Sequence, residues 1–119
     1  MFGYEYLEKF LHEEGFSINE ESSFFSFKYQ GKNYVAFKSE SPYLQLVMIC
    51  DTSQHPKAKL LEVCNKLNSD KFVVKFIVNG DDVWCSYEFI PTQKTSGEDF
   101  DTILMLLDNS LAELFKTLS

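Results

Sequence analysis

The sequence predicts an α+β fold in which three helices pack against a largely antiparallel five-stranded sheet, in the order α-β-β-β-α-β-β-α. Apolar residues recur at helical spacing over 3–14, 57–69 and 100–118. Five other segments alternate between apolar and polar residues, or run almost continuously in apolar ones, as strands do. Two of the links between these segments contain glycine in a turn-forming context, at Gly31 and at Gly80.

The size and composition of the chain indicate a single domain over residues 1–119. Its aromatic content of 16% can build a core without disulfides or metals. The net charge of −7 argues against nucleic acid and anionic membranes as partners, since both are bound through clustered basic residues. Three spaced cysteines in apolar contexts, no signal peptide pattern and no apolar run of membrane-spanning length predict a cytoplasmic protein.

The first half of the chain predicts a helix and three strands. The helix covers 3–14 and ends at Gly15, a residue that suits a left-handed C-cap. Strands over 23–29 and 33–38 form a hairpin that carries aromatic residues on both faces. The third strand, over 43–50, is apolar on both faces, which is typical of a strand that is covered on both sides.

The second half predicts a helix, a strand hairpin and a long closing helix. Pro56 suits the first turn of the second helix, because its missing N–H would have no partner there. The fourth strand, over 71–78, is apolar on both faces, and the fifth, over 83–89, alternates. Two capping-box patterns precede the apolar spacing of the last helix: Thr95 with Glu98, and Ser96 with Asp99.

The third and fourth strands require more cover than three helices supply. We therefore expect the remaining apolar surface to be covered by a long loop, a second subunit or a bound partner, although a thick core that closes on itself would also fit the pattern. The aromatic hairpin leaves a similar choice open. Its outer aromatic residues are covered by a helix or form a peptide-binding surface.

Residues 60–115 resemble the YbjN family in the segments LLEVCNKLNSDKFVVKFIVNGDDVWCSYEFIP and EDFDTILMLLDNSLAELF, and YLEKFLHEEGF resembles that family's opening helix. The family is similar in fold to type III secretion chaperones. The resemblance implies a non-enzymatic homodimer, built through the second helix and the fourth-fifth strand hairpin, that binds an apolar segment of another protein. With the aromatic hairpin, the candidate partner or dimer surface comprises Leu60, Val63, Leu67, Trp84, Tyr87, Phe24 and Tyr34.

Candidate catalytic residues are few. Cys50, Asp51 and His55 lie close in sequence, but a core thiol beside a surface histidine explains them more simply than a nucleophile with its base. The cysteines and histidines lack metal-ligand spacing, and the glycines form no phosphate-binding loop. We therefore expect no enzymatic activity and no cofactor. The alternative is a small-ligand-binding or enzymatic domain with a pocket between sheet and helices.

Overall fold

The computed structural model describes residues 1–70 and 73–119. It confirms the α+β fold and has six strands in its sheet where the sequence predicted five. The helices are α1 (Gly3–Glu13), α2 (Lys57–Asp70) and α3 (Gly97–Leu118). The strands are β1 (Ile18–Glu20), β2 (Phe24–Tyr29), β3 (Lys32–Phe37), β4 (Leu44–Asp51), β5 (Lys75–Asn79) and β6 (Asp82–Phe89).

The additional strand is β1, which pairs with β2 at the edge of the sheet. It has three residues, and only Ile18 among them is apolar. A segment of this length cannot show the alternating pattern by which a strand is recognised in a sequence. The five longer strands all correspond to segments that the sequence predicted.

The strand order in the sheet is β1-β2-β3-β4-β6-β5, and every neighbouring pair is antiparallel. Both predicted hairpin turns form, β2 to β3 and β6 to β5. Gly31 and Gly80 adopt φ of 77° and 62°, in the left-handed region that glycine tolerates without steric cost. Strand β4 joins the two hairpins, because it pairs with β3 on one side and with β6 on the other.

All three helices pack on one face of the sheet, and the core lies between the helices and that face. Strand residues at the centre of this face are almost fully buried, for example Phe25, Leu46 and Cys85. The Tyr34 hydroxyl donates a hydrogen bond to the Leu104 carbonyl oxygen at 2.9 Å and so ties β3 to α3. This bond satisfies a polar group that would otherwise be costly to bury.

The start of α3 distinguishes between the two predicted capping boxes. The Ser96 hydroxyl accepts from the Asp99 N–H at 3.2 Å, and the Asp99 carboxylate accepts from the Ser96 N–H at 2.8 Å. Thr95 instead accepts from the Thr92 N–H at 2.9 Å, within the preceding loop. The box with Ser96 is therefore the one that begins the helix.

The fourth predicted strand, over 71–78, differs in extent and in burial from what the sequence indicated. Residues 71–72 lie outside the described residues, and the strand itself begins at Lys75. Because β5 is at the edge of the sheet and helices cover one face only, the outward-facing Ile77 remains 38% exposed. No helix in the described part of the chain is both long and apolar enough to cross a membrane.

Candidate functional site

The face of the sheet opposite the helices, here called the open face, carries a continuous set of apolar side chains. Successive residues of a strand point to opposite faces, so the strand residues that alternate with the core point outward. None of these outward residues belongs to the core cluster. The apolar ones, here called the apolar stripe, are Phe24, Val35, Phe37, Val47, Ile49, Trp84 and Ile77.

The centre of the apolar stripe is an aromatic pair above Val47. The rings of Phe37 and Trp84 stack with centroids 5.5 Å apart and planes at 25°. Their strands, β3 and β6, flank β4, so the two rings meet above β4 and Val47 is fully buried beneath them. Further along the stripe, Ile49 is 46% exposed. The open face therefore has a small packed centre, and the apolar residues around it are half-buried, as Phe24 and Val35 are, or exposed, as Ile49 and Ile77 are.

The apolar stripe crosses the sheet obliquely. Phe24 lies opposite Phe37, and the stripe moves along the strands as it passes through Val47 and Ile49 to Ile77. Four strand spacings of about 4.8 Å and four residues of about 3.4 Å give components of about 19 Å and about 14 Å. The stripe is therefore about 24 Å long between Phe24 and Ile77.

Polar residues border the apolar stripe on both sides. Ser26, Lys28 and Asn33 lie on one side, and Gln45, Ser86, Glu88 and Lys75 on the other. The Gln45 amide donates to the Ser86 hydroxyl at 3.1 Å, which satisfies the buried serine. No charged side chain stands within the stripe itself, so its surface is apolar along its length.

Two aspartates stand directly opposite each other beyond Ile49 and Trp84, at the end of the β4–β6 pair. These are Asp51 and Asp82, and neither forms an ion pair with the described residues. The Ser53 backbone N–H donates to the Asp51 carboxylate at 2.9 Å and lowers the pKa of Asp51. Like charges directly opposite each other repel, so this corner of the open face attracts cations.

The residues that the sequence proposed as a partner surface lie on two different sides of the sheet. Leu60, Val63 and Leu67 of α2 are buried in the core, as is Tyr34. Tyr87 is half-buried on the covered face, where its ring meets that of Phe89 edge-on. A partner could contact the four buried residues only if a helix left the sheet, whereas Tyr87 remains partly exposed. Phe24 and Trp84 lie on the open face, and the structure adds Val35, Phe37, Ile49 and Ile77 to them as residues that a partner could contact.

Cys50 lies in β4 on the covered face, and burial, reinforced by the carboxylates of Asp51 and Asp82, raises the pKa of its thiol to about 11. Burial also raises the pKa of Cys85, to about 12. Since the thiolate is the nucleophilic form, the raised pKa disfavours nucleophilic chemistry at Cys50 near neutral pH. The described residues contain no group of three or more side chains that could hold a metal ion.

A groove of about 690 Å³ lies at the rim of the sheet between the end of α1, the β2–β3 turn and the start of α3. Glu14, Glu98 and Asp101 line it together with aromatic rings. The Tyr29 hydroxyl donates to the Asp101 carboxylate at 2.6 Å, and this bond is the main reason that the pKa of Tyr29 rises to about 12. Gln30 and Ser96 also line the groove, and its lining includes no cysteine, histidine or lysine.

The fold and the open face define a class of small α+β proteins with one covered and one uncovered face of an antiparallel sheet. No family model and no curated protein matches the sequence. Among solved structures, the chain is similar to the crystal structure of YbjN from E. coli, a proposed transcription regulator. The alignment covers 94% of this chain and 87% of that one, with a TM-score of 0.63 and 13% sequence identity. The chain therefore has a YbjN-like fold, as its sequence segments predicted.

Proposed function

We propose that this chain is a non-enzymatic protein-binding module, chaperone-like or regulatory, and that its open face binds an apolar segment of a partner protein. The observation that carries the proposal is the uncovered apolar stripe. Contiguous apolar patches of this kind on a folded domain mark interaction sites, because their exposure to water is unfavourable. Trp84 and Phe37 at its centre are of the residue types that dominate binding energy in interfaces.

Two further observations support a binding role. Cys50 faces the core with a raised pKa, and the groove of about 690 Å³ places no cysteine or histidine beside its carboxylates. The similarity to YbjN concerns a protein with a proposed regulatory role, which fits a domain that acts by binding. Homodimerisation, which the family resemblance implied, stays a prediction.

Photo-crosslinking in the cells that make the protein tests this function. One variant carries a photo-reactive amino acid in place of Ile49, in the apolar stripe. The control carries it in place of Met105, which is 55% exposed on α3 behind the sheet. We expect covalent adducts with another protein from position 49 and none of these from position 105. Equal adduct patterns from both positions, or none from position 49, would refute the proposed function.

A further inference from the structure

We infer that the occupant of the apolar stripe is a single amphipathic α-helix of a partner protein, with basic side chains on the flank that faces Asp51 and Asp82. This inference rests on the proposed function and specifies the shape and charge of the segment that binds. It follows from the dimensions of the stripe, from the residues that border it and from the two aspartates at its edge.

The dimensions of the apolar stripe match those of one helix. A stripe about 24 Å long corresponds to about 16 helical residues at a rise of about 1.5 Å, and a helix is about 10 Å wide. The stripe is narrow, because the next outward residue on the same strand is already polar at several points: Ser26 beside Phe24, Gln45 beside Val47, and Ser86 beside Trp84. A helix laid along the stripe covers its apolar residues and leaves the borders in water.

A second copy of the sheet fits the same surface less well. Six strands span about 29 Å, so a sheet packed face to face would cover the borders as well as the stripe. It would bring Lys28, Lys75 and Glu88 out of water, and the described residues provide none of these three with an ion pair. Burying unpaired charges costs several kcal/mol, which a narrower occupant avoids.

The charges indicate which side chains the helix presents. Asp51 and Asp82 lie about 7 Å along their strands from Ile49 and Trp84, which is within reach of a lysine or arginine on the flank of a bound helix. A cation there would relieve the repulsion between the two carboxylates. The net charge of −7 also favours a basic segment over an acidic one during encounter.

A panel of synthetic peptides tests the inference, and the fluorescence of the single tryptophan, Trp84, measures their binding. Trp84 stands in the apolar stripe, so its fluorescence reports occupancy without a label. The peptides have about 16 residues, lack tryptophan, place Leu, Ile or Phe at positions i, i+3, i+4 and i+7, and carry lysine on one flank. Controls are scrambled peptides and peptides with glutamate on the flank. We expect a blue shift of Trp84 emission and a gain of helical circular dichroism with the lysine peptides only.

Substitutions in this protein test where the peptides bind. Ile49→Lys should weaken binding more than about tenfold, because it places a charge within the apolar stripe. Met105→Lys, a matched change on α3, should leave binding unchanged. The double variant Asp51→Asn, Asp82→Asn should reduce the preference for lysine over glutamate peptides about two- to fivefold, as expected for exposed ion pairs. Thermal unfolding verifies that each variant folds.

Each contrary result has a distinct meaning. Scrambled peptides that bind as tightly, binding without helical signal, or a whole panel that leaves Trp84 unaffected would overturn the helix inference. If position 49 still crosslinks to a protein in cells, the proposed function stands and only the helical occupant is wrong. A dimer by light scattering that Ile49→Lys converts to a monomer would also overturn the inference, since the second copy would then cover the apolar stripe.

Discussion

At the scale of single residues, Glu8 and Glu20 form a contact that makes the stability of the fold depend on pH. Burial raises the pKa of Glu8 above its ordinary value of 4.5, and a hydrogen bond with Glu20 raises it further. Lys38 bonds to Glu20 and lowers the pKa of that carboxyl. Glu8 is therefore the first of the two carboxyls to take up a proton as the pH falls, and ionising Glu8 is harder in the folded than in the unfolded state.

The raised pKa of Glu8 predicts the effect of Glu8→Gln. A group whose pKa is raised in the folded state contributes stability that is complete below the unfolded pKa of 4.5 and is lost as pH rises through the folded pKa. Glutamine is neutral and can still donate to Glu20, so we expect a higher Tm than wild type at pH 7 and no difference at pH 4. Melting curves at both pH values, with Glu13→Gln as an exposed control, measure this. An equal gain at both pH values would contradict it.

At the scale of elements, α2 protects the free edge of β5. The Asn68 side chain of α2 accepts from the Phe76 N–H at 2.7 Å and donates to the Phe76 carbonyl at 3.0 Å. It therefore takes the place that the backbone of a further strand would have. Since an unpaired strand edge is a site of unwanted pairing between chains, this amide both stabilises the hairpin and blocks the edge.

We expect Asn68→Ala to lower the free energy of unfolding by about 1–3 kcal/mol, because it leaves two backbone groups without partners beside the buried Phe76 side chain. Asn65→Ala on the same helix is the matched control, since both asparagines are exposed and the change in helix propensity is the same, but the Asn65 side chain makes no hydrogen bond with the described residues. Urea unfolding compares the two variants. A similar cost for both would show that the Asn68 bonds contribute nothing specific.

The elements also show which features the sequence could predict. Turn glycines and apolar spacing located the three helices and the β2–β3 and β5–β6 hairpins, because these signals are local, whereas the short β1 was missed. The alternation of Phe24 with Phe25, or of Trp84 with Cys85, defines two faces of a strand but does not say which face the helices cover. The wide apolar arc of α2, with Leu60, Val63 and Leu67, suggested a partner surface. It is instead buried because α2 packs against both β5 and α3.

At the scale of the whole molecule, the two faces of the sheet have separate roles. The covered face holds the core, whereas the open face keeps Ile49 and Ile77 at 46% and 38% exposure. Residues this exposed contribute little to folding, and surface substitutions usually change stability by within about 0.5 kcal/mol. The apolar character of the open face can therefore be changed without losing the fold.

The double variant Ile49→Lys, Ile77→Lys should reduce the fluorescence of a bound hydrophobic dye by more than about half, because it removes exposed apolar surface while the core stays intact. We expect its Tm, and its mass by light scattering across a concentration series, to equal those of wild type. Met105→Lys serves as the control and should leave dye binding unchanged. If the wild type is a dimer and the double variant a monomer, a second copy occupies the apolar stripe. If dye binding persists, the dye binds elsewhere and the open face is not the exposed apolar surface of the molecule.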